Sequence, residues 1–194
     1  MNENDILFNV ITLGDSGVGK TSILKRYAYG SFDEKNLPTI GIGFTFKEVK
    51  LKDGTTIKLK LVDTSGQERF NSISKSYFRK AESVLFVFSY DNKNSLEHIE
   101  EWFKRFEETG NILDIPLFLL GNKCDIHNKV IDDKLIEDFK NRIGIEDYFK
   151  TSAKENIGIN DVFSRLAEKI HKSKKGIKRK TQGNKKGRTK KGCC

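Results

Sequence analysis

The chain has 194 residues, with 36 Lys and Arg against 27 Asp and Glu, and a formal net charge of +9. Eleven of those basic residues fall in residues 172–194, which hold no acid, so residues 1–171 carry 25 basic against 27 acidic side chains and a charge of −2. This distribution argues against a uniformly basic nucleic-acid binder, and a body that keeps all 14 Phe can bury a core, which excludes disorder for it.

Taken in chain order, MNENDILF offers no basic leader, and the apolar run ILFNVITL (6–13) reads as a strand ending at glycine. Residues 21–28 then have helical spacing, giving strand, glycine loop, helix. GFTFKEVKL (43–51) and TIKLKLVD (56–63) alternate, and Asp53-Gly54 between them supplies the positive φ of a tight hairpin, the one antiparallel pair expected. VLFVFSY (84–90) is a buried strand, its VLFVF core far too short to span a bilayer. A helix near 94–108, a strand at 116–122, a helix near 132–142, a short strand within YFKTSA (148–153) and a helix near 159–172 follow. Buried strands separated by helices predict an α/β fold, a mainly parallel sheet with helices on both faces. Three Cys, two of them at 193 and 194, form neither a disulfide framework nor a zinc site, and His98, His127 and His171 have no partners at metal spacing. A cytosolic, reducing compartment is the expectation.

GDSGVGKT (14–21) fits G-x-x-x-x-G-K-[ST] after a strand and before a helix. Gly14, Gly17 and Gly19 let backbone N–H groups of Asp15, Ser16, Gly17, Val18 and Gly19 turn toward phosphate oxygens, with Ser22 in the first helical turn. Lys20 reaches the β and γ phosphates, and the Thr21 hydroxyl can ligate Mg²⁺. Asn122-Lys123-Cys124-Asp125 follows a strand of the presumed sheet, where ligands bind. The Asp125 carboxylate can accept from guanine N1–H and N2–H₂, a donor pair that adenine lacks; alone, NKCD fits a solvated turn equally well. Ser152-Ala153-Lys154 adds a backbone N–H for guanine O6 and a lysine stem to flank the ring. Cys124 reads as a small packed residue.

GDSGVGKT, Thr39 in PTIGIGF, DTSGQERF (63–70), NKCD and SAK resemble, in order and spacing, the Ras superfamily of small GTPases, and the Rab branch above all. The resemblance implies a small G domain over 1–171: a six-stranded, mostly parallel sheet with one antiparallel edge strand and five helices. It implies a GTP/GDP switch in vesicle traffic, hydrolysing GTP to GDP and phosphate. Thr39 and Asp63 resemble the residues that join Thr21 around Mg²⁺, and Phe32 the aromatic that covers the guanine edge. Gln67 matches the amide that orients the attacking water, beside Gly66, whose N–H meets the γ-phosphate. No arginine finger is supplied by a motif in the chain, so slow intrinsic hydrolysis and an activating protein are expected. The implied partners are an exchange factor, an activating protein, a prenylation escort, a GDP-dissociation inhibitor and effectors.

Three positions depart from the usual Rab pattern. Gly43 stands for Asp, Ser65 for Ala, and Val62 for the Trp of an effector-facing aromatic triad whose other two members Phe44 and Phe78 match. Ser65 reads as a solvated hydroxyl. Residues 172–194, rich in Lys, Arg and Gly with Ile177 as their only aliphatic residue, read as a flexible tether. The GlyCysCys sequence at 192–194 resembles a doubly geranylgeranylated terminus, so Cys193 and Cys194 are expected to anchor the protein to the cytosolic face of an intracellular membrane, aided by the basic residues. Two rivals remain. A lysine-rich tail binds nucleic-acid phosphates nonspecifically, though the body has no basic groove, and a P-loop ATPase or kinase would share GDSGVGKT but not NKCD and SAK.

Overall fold

The computed structural model describes residues 6–34, 38–65, 76–110 and 115–185. Gly66, Gln67, Cys193 and Cys194 lie outside these residues. The elements run β1 (Ile6–Leu13), α1 (Lys20–Tyr29), β2 (Ile42–Lys50), β3 (Thr56–Thr64), β4 (Ser83–Ser89), α2 (Lys93–Glu97), α3 (Ile99–Glu107), β5 (Leu117–Asn122), α4 (Asp133–Ile143), β6 (Asp147–Lys150) and α5 (Ile159–Lys185). The strands form one six-stranded sheet in the order β2-β3-β1-β4-β5-β6. Among these strands of the described residues only β2 and β3 pair antiparallel, around the Asp53-Gly54 turn, with Phe44 opposite Val62.

Every residue of β4 is buried, as a central parallel strand covered on both faces must be. On one face Ile23 and Leu24 of α1 and Phe163 and Leu166 of α5 pack on the sheet; on the other lie Leu96, Ile99, Trp102, Phe106, Ile136 and Phe139. The Tyr27 and Phe163 rings stack at 3.8 Å and join α1 to α5. Truncating Phe163, the fully buried member, costs about 3–5 kcal/mol.

Two boundaries differ from expectation. The helix foreseen near 94–108 is two segments meeting at His98, which has φ −66° and ψ −16°. The last helix continues to Lys185, well past 172, because Lys, Arg and Gln extend a helix already nucleated by its packed first turns. β3 and β4 lie on opposite sides of β1 and parallel to it, so the strand order, not the strand direction, reverses there. The carboxyl end of β1 is therefore where an open α/β sheet holds its ligand.

Candidate functional site: a phosphate loop and a base pocket

The loop after β1 is shaped by glycines that no other residue could replace. Gly14 has φ +143°, and a Cβ on it would lie 2.1 Å from the Val87 carbonyl oxygen; Gly19 has φ +97°, and its Cβ would lie 2.2 Å from Asn122 Nδ2. Gly19 is also the N-cap of α1 and no side chain caps that end, which leaves the first N–H groups for an anion. Lys20 is buried and donates to the carbonyls of Gly14 and Asp15, both at 2.7 Å. Burial lowers its ammonium from 10.5 to about 8, with Asp63 and Asp15 opposing. A buried lysine beside uncapped N–H groups is a cation short of anions.

Thr21, Thr39 and Asp63 converge although they lie on α1, on the loop before β2 and in β3. Thr21 Oγ1 is 2.7 Å from Thr39 Oγ1 and donates to Asp63 Oδ2 at 2.7 Å. Asp63 Oδ1 is buried and has no hydrogen-bond partner, and burial pushes this carboxyl upward against the pull of Thr21, Lys20 and Thr39. An all-oxygen donor set with an orphaned carboxylate oxygen suits a hard divalent cation, Mg²⁺ before zinc. Among the described residues there is no His/Cys/Asp/Glu group fit for a softer metal.

A cleft of about 400 Å³ runs from this corner to the ends of β5 and β6. Ser16, Gly17, Gly19, Lys20, Thr21 and Ser22 line one end, Phe32 and Thr39 one wall, and Asn122, Lys123, Asp125, Ala153 and Lys154 the other end. Asp125 Oδ1 is buried without a partner, a carboxylate oxygen shielded from water and waiting for an N–H donor. Lys123 holds φ +60°, the left-handed conformation that costs a non-glycine residue energy and that collects at ligand sites. Its ammonium meets Asp91 at 2.8 Å, while Lys154 meets Glu34 at 3.0 Å across the cleft mouth.

Several of these residues also carry structural contacts. Val18 is buried, so only its backbone can face a ligand, and its carbonyl accepts from Asn122 Nδ2 at 2.8 Å. The other end of that amide, Oδ1, accepts from Ala153 N at 3.3 Å. Asn122 thus fastens the phosphate loop to the SAK loop. Ser152 Oγ accepts from Glu155 N at 2.9 Å and shapes the turn. Asp15 turns its carboxylate away from the cleft, toward His98 and Trp102. Sequence reading missed Arg26, whose guanidinium donates to Ala153 O at 2.8 Å, Lys154 O at 3.0 Å and Gly30 O at 2.6 Å, with Phe32 5.9 Å away. Its position inside a helix two turns from the phosphate loop gave no local signal.

The departures are also placed. Ser65 is buried rather than solvated, and its N–H donates to Gly41 O at 3.1 Å. Gly43 pairs with Asp63 and a Cβ there would meet only Asp63 Cβ at 3.9 Å, so the backbone does not demand glycine. Val62 is buried. Phe78 is buried too and packs on Phe106 at 5.7 Å, so it offers no surface; half-buried Tyr77 does, with Lys60 Nζ 5.7 Å from its ring and 4.6 Å from that of exposed Phe44. Tyr77, not Phe78, shares the Lys60 ammonium with Phe44 at the surface, because one step along a helical turn exchanges outside for inside.

Sequence comparison agrees with this geometry. The family model described as Ras family matches residues 9–172. The chain is 42% identical over 166 residues to Ras-related protein Rab-10 of Diplobatis ommata, covering 86% of this chain and 82% of that one. It is 38% identical over 185 residues to Ras-related protein Rab-8A of Bos taurus (93% and 84%), and 35% identical over 176 residues to GTP-binding protein YPTM1 of Zea mays (90% and 83%). With residues 14–21, the oxygen-lined corner and Asp125 gathered at the carboxyl ends of the strands, the chain belongs to the Ras family, as a Rab-type small GTPase.

Proposed function

We propose that this GTPase is a guanine-nucleotide switch of membrane traffic whose cleft holds the nucleotide with its phosphates on residues 14–22 and its base against Asp125. The observation that carries this reading is the pair of orphaned carboxylate oxygens: Asp125 Oδ1 in the lining of the cleft, and Asp63 Oδ1 behind Thr21 and Thr39, which line its other end and bond Asp63 Oδ2. One suits a cation and the other suits the N–H edge of guanine. Adenine would leave a buried charge unpaired, which costs more than the lost bonds alone.

Thr21, Thr39 and Asp63 would hold Mg²⁺, which when bound supplies charge neutralisation to the phosphates. Lys20 binds the β and γ phosphates as an ammonium, and Ser16, Gly17, Gly19, Thr21 and Ser22 orient them through backbone and hydroxyl groups. Lys123, Ala153 and Lys154 flank the base, and Phe32 shields its edge. Gln67 orients the attacking water and Gly66 contacts the γ-phosphate, so loss of that phosphate releases the Thr39 and Gly66 segments together. Arginine from an activating protein completes charge stabilisation, and intrinsic turnover is slow. An exchange factor reloads the site, and effectors read the ordered switches through a surface that includes Phe44 and Tyr77. A prenylation escort and a GDP-dissociation inhibitor handle Cys193 and Cys194, whose two lipid chains with the basic tail give stable membrane anchoring that the inhibitor reverses by extracting the protein.

The test is single-turnover hydrolysis by purified protein. Slow conversion of GTP and not ATP, abolished in Gln67→Leu, is expected; hydrolysis of ATP at an equal rate would overturn the reading.

A further inference from the structure

Asp15 places a carboxylate in the phosphate-binding loop itself, one residue after Gly14, where a negative charge opposes a polyanionic ligand. That carboxylate is not left to solvent. Trp102 Nε1 donates to its Oδ1 at 3.0 Å from α3, and His98 Nδ1 donates to its Oδ2 at 2.7 Å from the junction of α2 and α3. The backbone carbonyl of the same residue accepts from Lys20 Nζ at 2.7 Å. The imidazole and the lysine of the glycine loop therefore converge on one residue, His98 on the Asp15 carboxylate and Lys20 on its backbone carbonyl, with His98 and Asp15 more than eighty residues apart in sequence. The Trp102 bond keeps one neutral donor on the carboxylate at every pH. The His98 contact is different, because the imidazole can carry a full charge.

We propose that His98 is a positioning residue whose protonation neutralises Asp15 and so slows nucleotide release from the phosphate loop. The inference rests on the guanine-nucleotide reading of the cleft. Its sign follows from charge: on the outer side of the loop the imidazolium cancels a carboxylate whose field opposes the phosphates, and bound phosphates in turn favour the imidazolium. The groups facing His98 among the described residues point the same way. Asp15 from the phosphate loop and Glu97 and Glu101 from its own flanking helices are all acidic and hold the imidazole above its usual 6.5, against mild desolvation. Arg105, the nearby cation of α3, lies 5.3 Å from the Trp102 ring and pairs with Glu101 at 3.7 Å. The His98 side chain is 47% exposed, so it exchanges protons with water freely.

The test uses full-length protein loaded with fluorescent GDP in Mg²⁺, with release followed against excess GDP at about pH 6 and about pH 8. Wild type should release roughly threefold more slowly at the lower pH, a size suited to one partly screened charge. His98→Gln, which keeps a neutral donor, should release at the faster rate at both pH values, and His98→Lys, a fixed charge, at the slower rate at both. Trp102 is the chain's single tryptophan, so its emission should titrate with His98 in wild type and stay flat in His98→Gln. A merely structural histidine would not give opposite behaviour in Gln and Lys. Identical pH profiles in all three proteins, with normal GDP binding, would overturn this inference alone. Failure of every form to bind GDP would instead overturn the guanine reading on which it stands.

Discussion

Replacing Asp125 with Asn removes one acceptor and the charge from the floor of the base pocket. In the folded protein Asp125 Oδ1 is buried and has no partner, so guanine N1–H and N2–H₂ have a desolvated carboxylate to bond. Hydrogen bonds to a charged group contribute about 1.5–3 kcal/mol each, and the pair about 3–6 kcal/mol, or roughly two to four orders of magnitude in Kd. Asn keeps one acceptor for N1–H but turns an amide donor toward the exocyclic amine, so the second bond becomes a clash of donors. Xanthine presents a carbonyl at that position and fits the amide. Competition against a fluorescent guanine nucleotide should show GTP weakened at least a hundredfold in Asp125→Asn and xanthosine triphosphate strengthened. Unchanged GTP affinity in a folded variant would refute the assignment of the base pocket.

Lys20 titrates at about 8 in the nucleotide-free protein because burial disfavours its charge. Phosphates restore the ammonium, so binding at about pH 9 should take up close to one proton, and affinity should fall as pH rises through 8. The folded state lacks this proton before the unfolded chain does, so the nucleotide-free fold gains stability from about 8 toward 10.5. Calorimetry in two buffers of different ionisation enthalpy measures the uptake, and zero uptake contradicts the account. A metal chelator should speed GDP release on the order of tenfold in wild type but little in Thr21→Ala, whose cation site is already broken; equal acceleration in both would remove Thr21 from that site. Arg26→Met loses three donated bonds to Ala153, Lys154 and Gly30 and should also release GDP about tenfold faster. Arg26→Lys should not restore the rate, since one ammonium cannot reach all three carbonyls; full rescue by lysine would count against the clamp.

What was legible in the sequence is what short-range chemistry dictates. GDSGVGKT declares its loop because positive-φ glycines, a lysine and a helix start must follow one another. Asp53-Gly54 declares the hairpin, and VLFVFSY a buried strand, which the structure places at Ser83–Ser89 with every residue buried. The convergence of Thr21, Thr39 and Asp63 came only through resemblance, since nothing local links them. Contacts made at a distance stayed hidden. Asn122 lines the cleft and also ties Val18 to Ala153, and the Asp15 carboxylate, apart from any backbone contact, faces α3. Tyr77 and Phe78 are adjacent in sequence, and only packing decides which faces solvent. The extended α5 escaped notice because composition predicts how well a segment buries apolar surface, not whether a packed helix upstream will continue through it.

The central claim is guanine-nucleotide recognition by a cleft built from the phosphate loop and Asp125. The most direct measurement is titration of nucleotide-free protein with GDP and ADP side by side in Mg²⁺ by calorimetry. One GDP should bind per chain at least a hundredfold more tightly than ADP, and tight binding of ADP at the same site would contradict the account.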